Sequence, residues 1–403
     1  MLKKRALNFA IFVEATFPPV SRANLRMYQL GLALSAKGHN VYVIAPNQFL
    51  HLQKTVFKNL NAYLYPGFAF FLYHRFLRLF VRVSHIIISV IYLQRLNKRI
   101  RFDAIHAWNP IAGLASIIGG KIGRLTMFSD LTDFYSDIAR YESIMLMPLF
   151  RYIERTILAN SNMVFTVSEE MKEAFTNIYP ASNKIKIVPD GVDPKMFNRK
   201  GDGNLVRLKY KLGKSPVIIF HGDIKPIDGV DVLVRAFPSV LKKIPDAKLL
   251  IVGGEGPLFE GLKDTVKDLK IESSVIFTGW VPYSEVPNYI AASDVGVMPL
   301  LSTLLSNCYL SFKLFEYWGM EKPVIVSKVK AISRIAPHGI SSLHVIPGDV
   351  NDLSNTIVKV LLDKKLAKLI GRNGRKNVEE IFDWNYLMNL EANFCEEYIY
   401  KNN

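Results

Sequence analysis

The sequence predicts an α/β protein of two domains, each with a doubly wound, mostly parallel sheet. The chain has 403 residues, more than the roughly 250–300 residues that one hydrophobic core usually supports. Short apolar runs alternate with helical patterns along its whole length, which is the rhythm of βαβ units. This rhythm loosens between 191 and 216, where glycines and mixed charges indicate a linker.

The first βαβ unit shows how the elements are assigned. A buried strand is predicted at 6–13, a helix from about Arg22 to Lys37, and a second strand at 41–45. Gly38 suits the left-handed position after a helix. Further strands are predicted at 103–106, 126–129, 163–167, 185–189, 217–220, 248–252, 275–278, 295–298, 323–326 and 343–346. The predicted domains are 1–192 together with a returning C-terminal helix, 384–403, and 193–383.

The charge is high and uneven. The chain carries 51 Lys and Arg against 35 Asp and Glu, a net charge of +16, and residues 1–195 hold 24 of the basic but only 12 of the acidic residues. A basic half indicates an acidic partner, such as nucleic acid, anionic lipid or a phosphorylated ligand. No nucleic-acid-binding motif is present, so we expect no nucleic acid partner.

Two further features of the sequence concern the cellular compartment of the protein. Only Cys308 and Cys395 occur, too few for a disulfide framework or a four-cysteine zinc site, which favours a reducing compartment. No run of about 18 uncharged apolar residues exists to span a membrane. We therefore expect a cytoplasmic protein, peripheral on the inner face of the membrane.

The segment 67–93 breaks the βαβ rhythm and predicts an amphipathic helix. Its polar residues fall three and four positions apart, on one helical face, and Phe, Leu, Ile and Val fill the other. Such a basic helix suits an anionic membrane interface, although a helix packed on its own domain is the alternative. The polar face holds Arg75, Arg78, Arg82, His85 and Ser89.

Several stretches carry more specific information because of their order. They are Phe-Pro-Pro at 17–19, FDAIHA at 102–107, VPDGVD at 188–193, FHGD at 220–223, GVDVL at 229–233, VIFTGWVP at 275–282, KLFEYWGMEKPVI at 313–325 and GRNG at 371–374. Together they resemble the retaining nucleotide-sugar glycosyltransferases of family 4, whose two-domain fold is called GT-B. Each stretch alone is weak, but their joint order covers nearly the whole chain.

The resemblance implies transfer of a sugar, with retained configuration, from a nucleoside diphosphate sugar to a glycan or a lipid-linked acceptor. It implies no metal and no other cofactor. His106, Lys313 and Glu316 are the implied catalytic residues, and Glu316 would hold the ribose hydroxyls of the donor. The implied donor-binding residues are Ser21, Arg22, Gly222, Asp223, Lys225, Gly254, Gly279, Trp280, Val281, Cys308, Leu310 and Ser311.

The departures from the family pattern are also informative. Asp223 and Asp228 replace an Arg and a Lys that clamp the diphosphate in the family, and two acids facing a diphosphate would repel it. Cys308 replaces the first of two glutamates, and Trp108 replaces a second histidine. Either the clamp has moved to Arg22, Lys225 and Lys313, or donor chemistry is lost and the protein is a membrane-associated binding or scaffold subunit. We favour the moved clamp.

Three residues of the N-terminal domain have two alternative roles each. His106 either positions the sugar or the acceptor, or is a hydrogen-bonded core histidine. Asp130 and Asp133 either meet acceptor hydroxyls or cap a helix.

Overall fold

The computed structural model divides into two compact units. Unit 1 comprises Met1–Pro189 and Asn385–Asn403, and unit 2 comprises Asp190–Trp384. The residues that the structure describes are 5–14, 17, 24–47, 53–66, 78–142, 144–180, 182–198, 201–254 and 257–402.

Unit 1 is built on an eight-stranded sheet of order β3-β4-β2-β1-β5-β6-β7-β8. All neighbouring strands pair in parallel except β3 and β4, which form an antiparallel hairpin. The strand order reverses at β1, which pairs with β2 on one side and β5 on the other. The strands are β1 Asn8–Phe12, β2 Asn40–Asn47, β3 Gln53–Phe57, β4 Leu60–Pro66, β5 Ala104–Trp108, β6 Thr126–Asp130, β7 Met163–Thr166 and β8 Ile185–Ile187.

The helices of unit 1 connect these strands, and the last one returns from the far end of the sequence. They are α1 Leu25–Ala36, α2 Arg78–Ile100, α3 Pro110–Gly123, α4 Tyr135–Glu142, α5 Met147–Asn160, α6 Glu169–Ile178 and α16 Trp384–Asn402. No helix among the described residues is long and apolar enough to cross a membrane.

Unit 2 has a six-stranded, entirely parallel sheet of order β11-β10-β9-β12-β13-β14. Its strands are β9 Val217–His221, β10 Lys248–Val252, β11 Val275–Phe277, β12 Val295–Met298, β13 Val324–Ser327 and β14 Leu343–Val345. Its helices are α7 Gly203–Lys209, α8 Val230–Lys243, α9 Pro257–Asp268, α10 Val286–Ala291, α11 Leu304–Cys308, α12 Phe312–Gly319, α13 Lys330–Ile335, α14 Val350–Leu362 and α15 Lys364–Glu380.

The predicted fold class is confirmed, and each predicted strand is present. Three elements were missed, one helix and two strands. Helix α7 lies inside the predicted linker, and the β3–β4 hairpin lies where no strand was predicted. Lys58 and Asn59 turn that hairpin with positive φ angles of 46° and 67°, the backbone of a type I′ turn. The usual Asn-Gly signal is absent, so the local sequence does not indicate this hairpin.

The predicted face of the amphipathic helix was wrong. Helix α2 covers 78–93 of the predicted segment and continues to Ile100, while 67–77 lies outside the described residues. His85 and Ser89 of this helix are buried. The His85 ring packs edge-on against Tyr65, 5.9 Å between centroids, and the Ser89 hydroxyl donates to the Ile86 carbonyl at 2.9 Å. Ser89 is therefore buried with a hydrogen-bond partner, whereas the buried His85 Nε2 has a ring neighbour but no hydrogen-bond partner among the described residues. Because α2 is apolar around most of its circumference, periodicity alone could not tell its inner face from its outer face.

A buried carboxyl group of α5 forms a hydrogen bond to the start of α4. Glu154 of α5 is fully buried, and its Oε1 accepts the backbone N–H of Ser136 in the first turn of α4 at 2.9 Å. Burial raises the pKa of Glu154 to about 7, although the hydrogen bond from Ser136 lowers it. A carboxyl with a raised pKa binds a proton more readily in the folded than in the unfolded state, so it favours the folded state at acidic pH.

Replacing Glu154 by Gln should flatten the pH dependence of stability. Between pH 4.5 and 8 the wild type should lose about 3 kcal/mol more than Glu154→Gln, because a shift of one pKa unit corresponds to about 1.4 kcal/mol. Urea unfolding at both pH values measures this difference. Glu173→Gln, an exposed change in the same unit, should behave like the wild type, and parallel curves for Glu154→Gln would contradict the assignment.

Candidate functional site

The interior of unit 1 holds a buried ion network centred on Arg26. This guanidinium donates to Asp130 Oδ1 at 3.0 Å and to Glu391 Oε2 at 2.5 Å, and also to the backbone carbonyls of Val188 and Pro189. Asp130 is the last residue of β6, and Glu391 lies on α16. Burial raises the pKa of Asp130, but Arg26 and His106 lower it further, so the carboxyl is held below its ordinary pKa. Arg26 thus joins three parts of unit 1 through compensated charges.

His106 belongs to this network and not to a surface that a sugar could touch. It is fully buried. Its Nε2 lies 2.8 Å from Asp130 Oδ2 and 3.4 Å from Glu391 Oε1, and its Nδ1 lies 3.8 Å from the Cys395 sulfur. The structure therefore corrects the catalytic role assigned to His106 and supports the core alternative. It likewise shows that Asp130 is an ion-pair partner, not a helix cap.

The same network is the one group of potential metal ligands found in the described part of the chain. Ligand atoms of His106, Asp130 and Glu391 lie within 4.8 Å of one another. Arg26 donates to both carboxylates, so each of them already has an internal cationic partner.

A second polar group lies at the carboxyl ends of β1 and β5, where the strand order of unit 1 reverses. Glu14, two residues after β1, accepts the backbone N–H of Ala112 in the first turn of α3 at 3.0 Å. Burial raises the pKa of Glu14 to about 7, against hydrogen bonds from Ala112, Ile111 and the Asn109 side chain and the charge of Arg82. Doubly wound sheets bind ligands beyond their strand ends at such a reversal. Glu14 was missed by the sequence reading, although a carboxylate directly after the first buried strand was a usable signal.

Aromatic residues complete this end of the sheet. Trp108 Nε1 donates to Thr132 Oγ1 at 3.2 Å, and the Tyr135 hydroxyl donates to Asn109. Asn109 has a φ of 79°, a conformation that non-glycine residues rarely adopt and that often marks functional sites. Asp133 is partly exposed near Tyr135, so its predicted contact with acceptor hydroxyls stays a prediction.

In unit 2, glycines bring three loops together at the carboxyl ends of β9, β10 and β11. Gly253 donates to the Gly279 carbonyl at 2.8 Å, and Gly222 donates to the Val252 carbonyl at 2.9 Å. A Cβ on Gly253 would lie 2.8 Å from the Gly222 oxygen, so a side chain does not fit there. These glycines and Gly254 all have positive φ. The absence of side chains at these positions lets the loops approach one another closely.

Glu316 lies directly behind these glycine loops and is fully buried. Its Oε1 accepts the Tyr283 hydroxyl at 2.9 Å, and its Oε2 lies 3.3 Å from His221 Nε2. His221 precedes Gly222, and Tyr283 follows Gly279 by four residues. The Glu316 carboxylate therefore contacts one residue next to Gly222 and another close in sequence to Gly279, and a ligand shared by the three stays a prediction. The structure also adds Tyr283 and His221, which the sequence reading missed because both contacts join distant segments.

The expectation that Asp228 faces the diphosphate was wrong. Asp228 is buried, and its Oδ1 lies 2.6 Å from Lys313 Nζ. Its Oδ2 accepts the Lys225 backbone N–H at 3.1 Å. Lys313 is thus held by an internal carboxylate and also sits 4.6 Å from the centre of the Phe220 ring. Asp223 and Lys225 remain at the surface, where their charged groups are 3.9 Å apart.

The other predicted donor-binding residues are placed as follows. Trp280 is about half exposed, with 54% of its surface open to solvent, and Val281 is partly exposed. Cys308, Leu310 and Ser311 are buried, and Ser311 begins α12. Ser21 and Arg22 lie outside the described residues.

Solved structures with the same architecture define the class. Sucrose-phosphate synthase from Thermosynechococcus elongatus matches with a TM-score of 0.78 over 98% of this chain and 100% of that one, at 19% identity. The Anabaena protein HepE in complex with UDP-glucose matches with a TM-score of 0.76 over 97% of this chain and 99% of that one, at 16% identity. The fold of this protein is therefore GT-B.

Sequence comparisons then give the family. The model "Glycosyltransferase Family 4" matches residues 23–196, and the model "Glycosyl transferases group 1" matches residues 215–363. The chain belongs to the family 4 glycosyltransferases.

Two curated relatives illustrate the similarity. The GDP-mannose-dependent alpha-(1-6)-phosphatidylinositol monomannoside mannosyltransferase of Mycobacterium tuberculosis (strain CDC 1551 / Oshkosh) is 27% identical over 252 residues, 62% of this chain. That match spans 65% of the relative's length. The N-acetyl-alpha-D-glucosaminyl L-malate synthase of Bacillus anthracis is 25% identical over 386 residues, 91% of each chain.

The buried pair of Lys313 and Asp228 should show strong coupling. Lys313→Met or Asp228→Asn alone should destabilise the protein by about 3–5 kcal/mol, because each leaves one buried charge uncompensated. The double variant should lose much less than the sum. Urea unfolding of the four proteins measures the coupling, and additive losses would show that the pair contributes nothing.

Proposed function

We propose that the protein transfers a sugar from a nucleoside diphosphate sugar to a glycan or lipid-linked acceptor at a membrane, with retention of configuration. The observation that carries the proposal is the buried Glu316 carboxylate directly behind the glycine loops of unit 2. The family membership supports it, as does HepE, a structure of the same fold in complex with UDP-glucose.

The donor's diphosphate is the part that the glycine loops suit. When the sugar departs, negative charge accumulates on the diphosphate, and fixed N–H groups can stabilise it without a metal. The Gly222 and Gly253 N–H groups are already bonded within the loops. We therefore propose that the N–H groups of Gly254, Gly279 and the first turn of α12 are the donors. Among the described residues of the moved clamp, Lys225 is at the surface, whereas Lys313 is held by Asp228. We therefore propose donor binding by backbone groups chiefly, with Lys225 assisting and no metal or other cofactor.

Glu316 is proposed to hold the donor's ribose, which requires a local exchange. A carboxylate can accept two sugar hydroxyls, but Tyr283 donates to Glu316 Oε1 and the carboxylate has no solvent exposure. Tyr283 is partly exposed and stands in a single turn, Tyr283–Glu285, beside the glycine loops. The ribose hydroxyl would then replace the tyrosine hydroxyl on Glu316.

The acceptor is proposed to bind unit 1. This unit carries most of the excess positive charge and presents the polar group of Glu14, Asn109 and Tyr135 at the reversal of its sheet. A basic surface suits a lipid-linked or otherwise membrane-associated acceptor. The chain is proposed to work as a peripheral protein on the cytoplasmic face of the membrane.

Tyr283→Phe should strengthen nucleoside diphosphate binding. Removing a hydroxyl that competes for Glu316 should tighten binding of UDP or GDP about two- to tenfold, the range of one net hydrogen bond, whereas Glu316→Gln should weaken it. Isothermal titration with both nucleotides measures this. Tyr210→Phe removes a hydroxyl that faces Tyr289 at 3.5 Å elsewhere in unit 2 and should change nothing. Weaker binding by Tyr283→Phe would refute the exchange.

Activity should be detected with one member of a panel of nucleotide sugars. Thermal shifts select the donor, and incubation of that donor with membrane lipid extract should release the nucleoside diphosphate and yield a glycolipid. Proton NMR of the product should show the donor's own anomeric configuration. An inverted product would refute retention. Failure of every nucleotide sugar to bind would favour the scaffold alternative.

A further inference from the structure

Three helices of unit 1 form one layer with an unusual charge composition. Helices α2, α3 and α5 touch in sequence: the Gln94 side chain donates to the Gly119 carbonyl at 2.7 Å, and Ile157 packs against Gly113. Arg82 lies 5.2 Å from the centre of the Phe150 ring. The layer carries eight basic residues, Arg78, Arg82, Arg95, Lys98, Arg99, Lys121, Arg151 and Arg155, and its one carboxylate is the buried Glu154.

The outer side of this layer exposes large apolar residues. On α2, Val83, Ile87 and Ile91 form a stripe along one face, and α3 adds Ile118 and Ile122. Five basic residues are also exposed at the C-terminal ends of α2 and α3. They are Arg95, Lys98, Arg99, Lys121 and Arg124. An exposed apolar face rimmed by cations and free of exposed carboxylates is unusual for a surface that meets only water.

The strongest exposure is at the entry to α5, which we term the α5 tip, residues 144–149. Ile144 is 67% exposed and Met145 83% exposed, and Leu149 follows at 41%. The next turns present Tyr152, 69% exposed, between Arg151 and Arg155. Neither arginine forms an ion pair with the described residues. The sequence reading placed no function on this segment.

A small cavity accompanies the tip. It has a volume of about 220 Å³ and is lined by Met147, Pro148, Arg151, Tyr152 and Arg155. Guanidinium groups bind phosphate oxygens through two parallel hydrogen bonds, and tyrosine is enriched at the headgroup level of membranes. In a lipid monolayer, the apolar residues of the tip would lie among the acyl chains, and the two arginines and the tyrosine would lie at the headgroups.

We propose that the outer side of α2, α3 and α5 is a docking surface for an anionic lipid bilayer, with the α5 tip inserted and the cavity beside it holding a lipid phosphate. The inference rests on the proposed function, since it states how unit 1 reaches a membrane-associated acceptor. The anionic bilayer is the occupant that fits, because α2, α3 and α5 present cations, and their one carboxylate, Glu154, is buried.

Vesicle flotation tests the charge requirement. The full-length wild type should float with vesicles of equal parts phosphatidylcholine and phosphatidylglycerol, and much less with phosphatidylcholine alone. Arg151→Gln/Arg155→Gln should lower the partition coefficient about thirtyfold, the factor expected for two cations near an anionic surface. Lys242→Gln/Lys243→Gln changes the net charge equally on the exposed end of α8 in unit 2 and should float like the wild type. Equal flotation of the two double variants would overturn the proposal.

Site-specific fluorescence tests the insertion. Met145→Cys, labelled with an environment-sensitive dye, should shift its emission to the blue with anionic vesicles, while Leu208→Cys, 75% exposed on α7, should not. The two native cysteines are buried and serve as the unlabelled background. Equal shifts at both positions, or none, would refute insertion of the tip. A stable dimer, with no vesicle binding, would assign the surface to a second copy of the chain instead.

Nucleotide titration separates this inference from the proposed function. Arg151→Gln/Arg155→Gln should bind UDP or GDP as the wild type does, because the substitutions lie in unit 1 and outside the glycine loops. Vesicle binding without nucleotide binding would retain the docking surface and reject the transferase. Nucleotide binding without vesicle binding would reject the docking surface and retain the transferase.

Discussion

Unit 1 depends on one buried guanidinium. Arg26 binds Asp130 on the sheet, Glu391 on the returning C-terminal helix, and the carbonyls of Val188 and Pro189 where the chain leaves the unit. A charge buried this completely is tolerated only when every partner is in place. The four contacts therefore fix how α16 lies on the sheet, although some 360 residues separate Arg26 from Glu391.

Unit 2 uses the same principle around its glycine loops. Lys313 and Asp228 neutralise each other below the surface, and Glu316 is held by Tyr283 and lies beside His221. The two carboxylates thus have internal partners and a defined orientation before any ligand arrives. These partners keep the two buried charges from being left uncompensated. The aspartate that departs from the family pattern, Asp228, is explained by its lysine partner and not by a ligand.

Part of the net charge of +16 is concentrated on one layer of helices in unit 1. Eight cations lie on the three-helix layer of unit 1, and the single carboxylate of that layer is turned inward. The charge therefore belongs to a surface with its own apolar residues and not to a diffuse positive field. The cations around the glycine loops, in contrast, are largely compensated by neighbouring acids.

The sequence by itself determined the order of strands and helices along the chain and the two α/β domains, because alternating apolar runs are local signals. The GT-B fold was implied by the resemblance of several ordered stretches to the family 4 glycosyltransferases. That resemblance also located Glu316. Only the tertiary structure decided which side of α2 faces the core, that His106 is buried, and that Asp228 pairs with Lys313. These outcomes depend on partners far away in the chain, 85 residues for the last pair. A local pattern shows the chemical type of a residue, whereas tertiary packing decides which distant residue it pairs with.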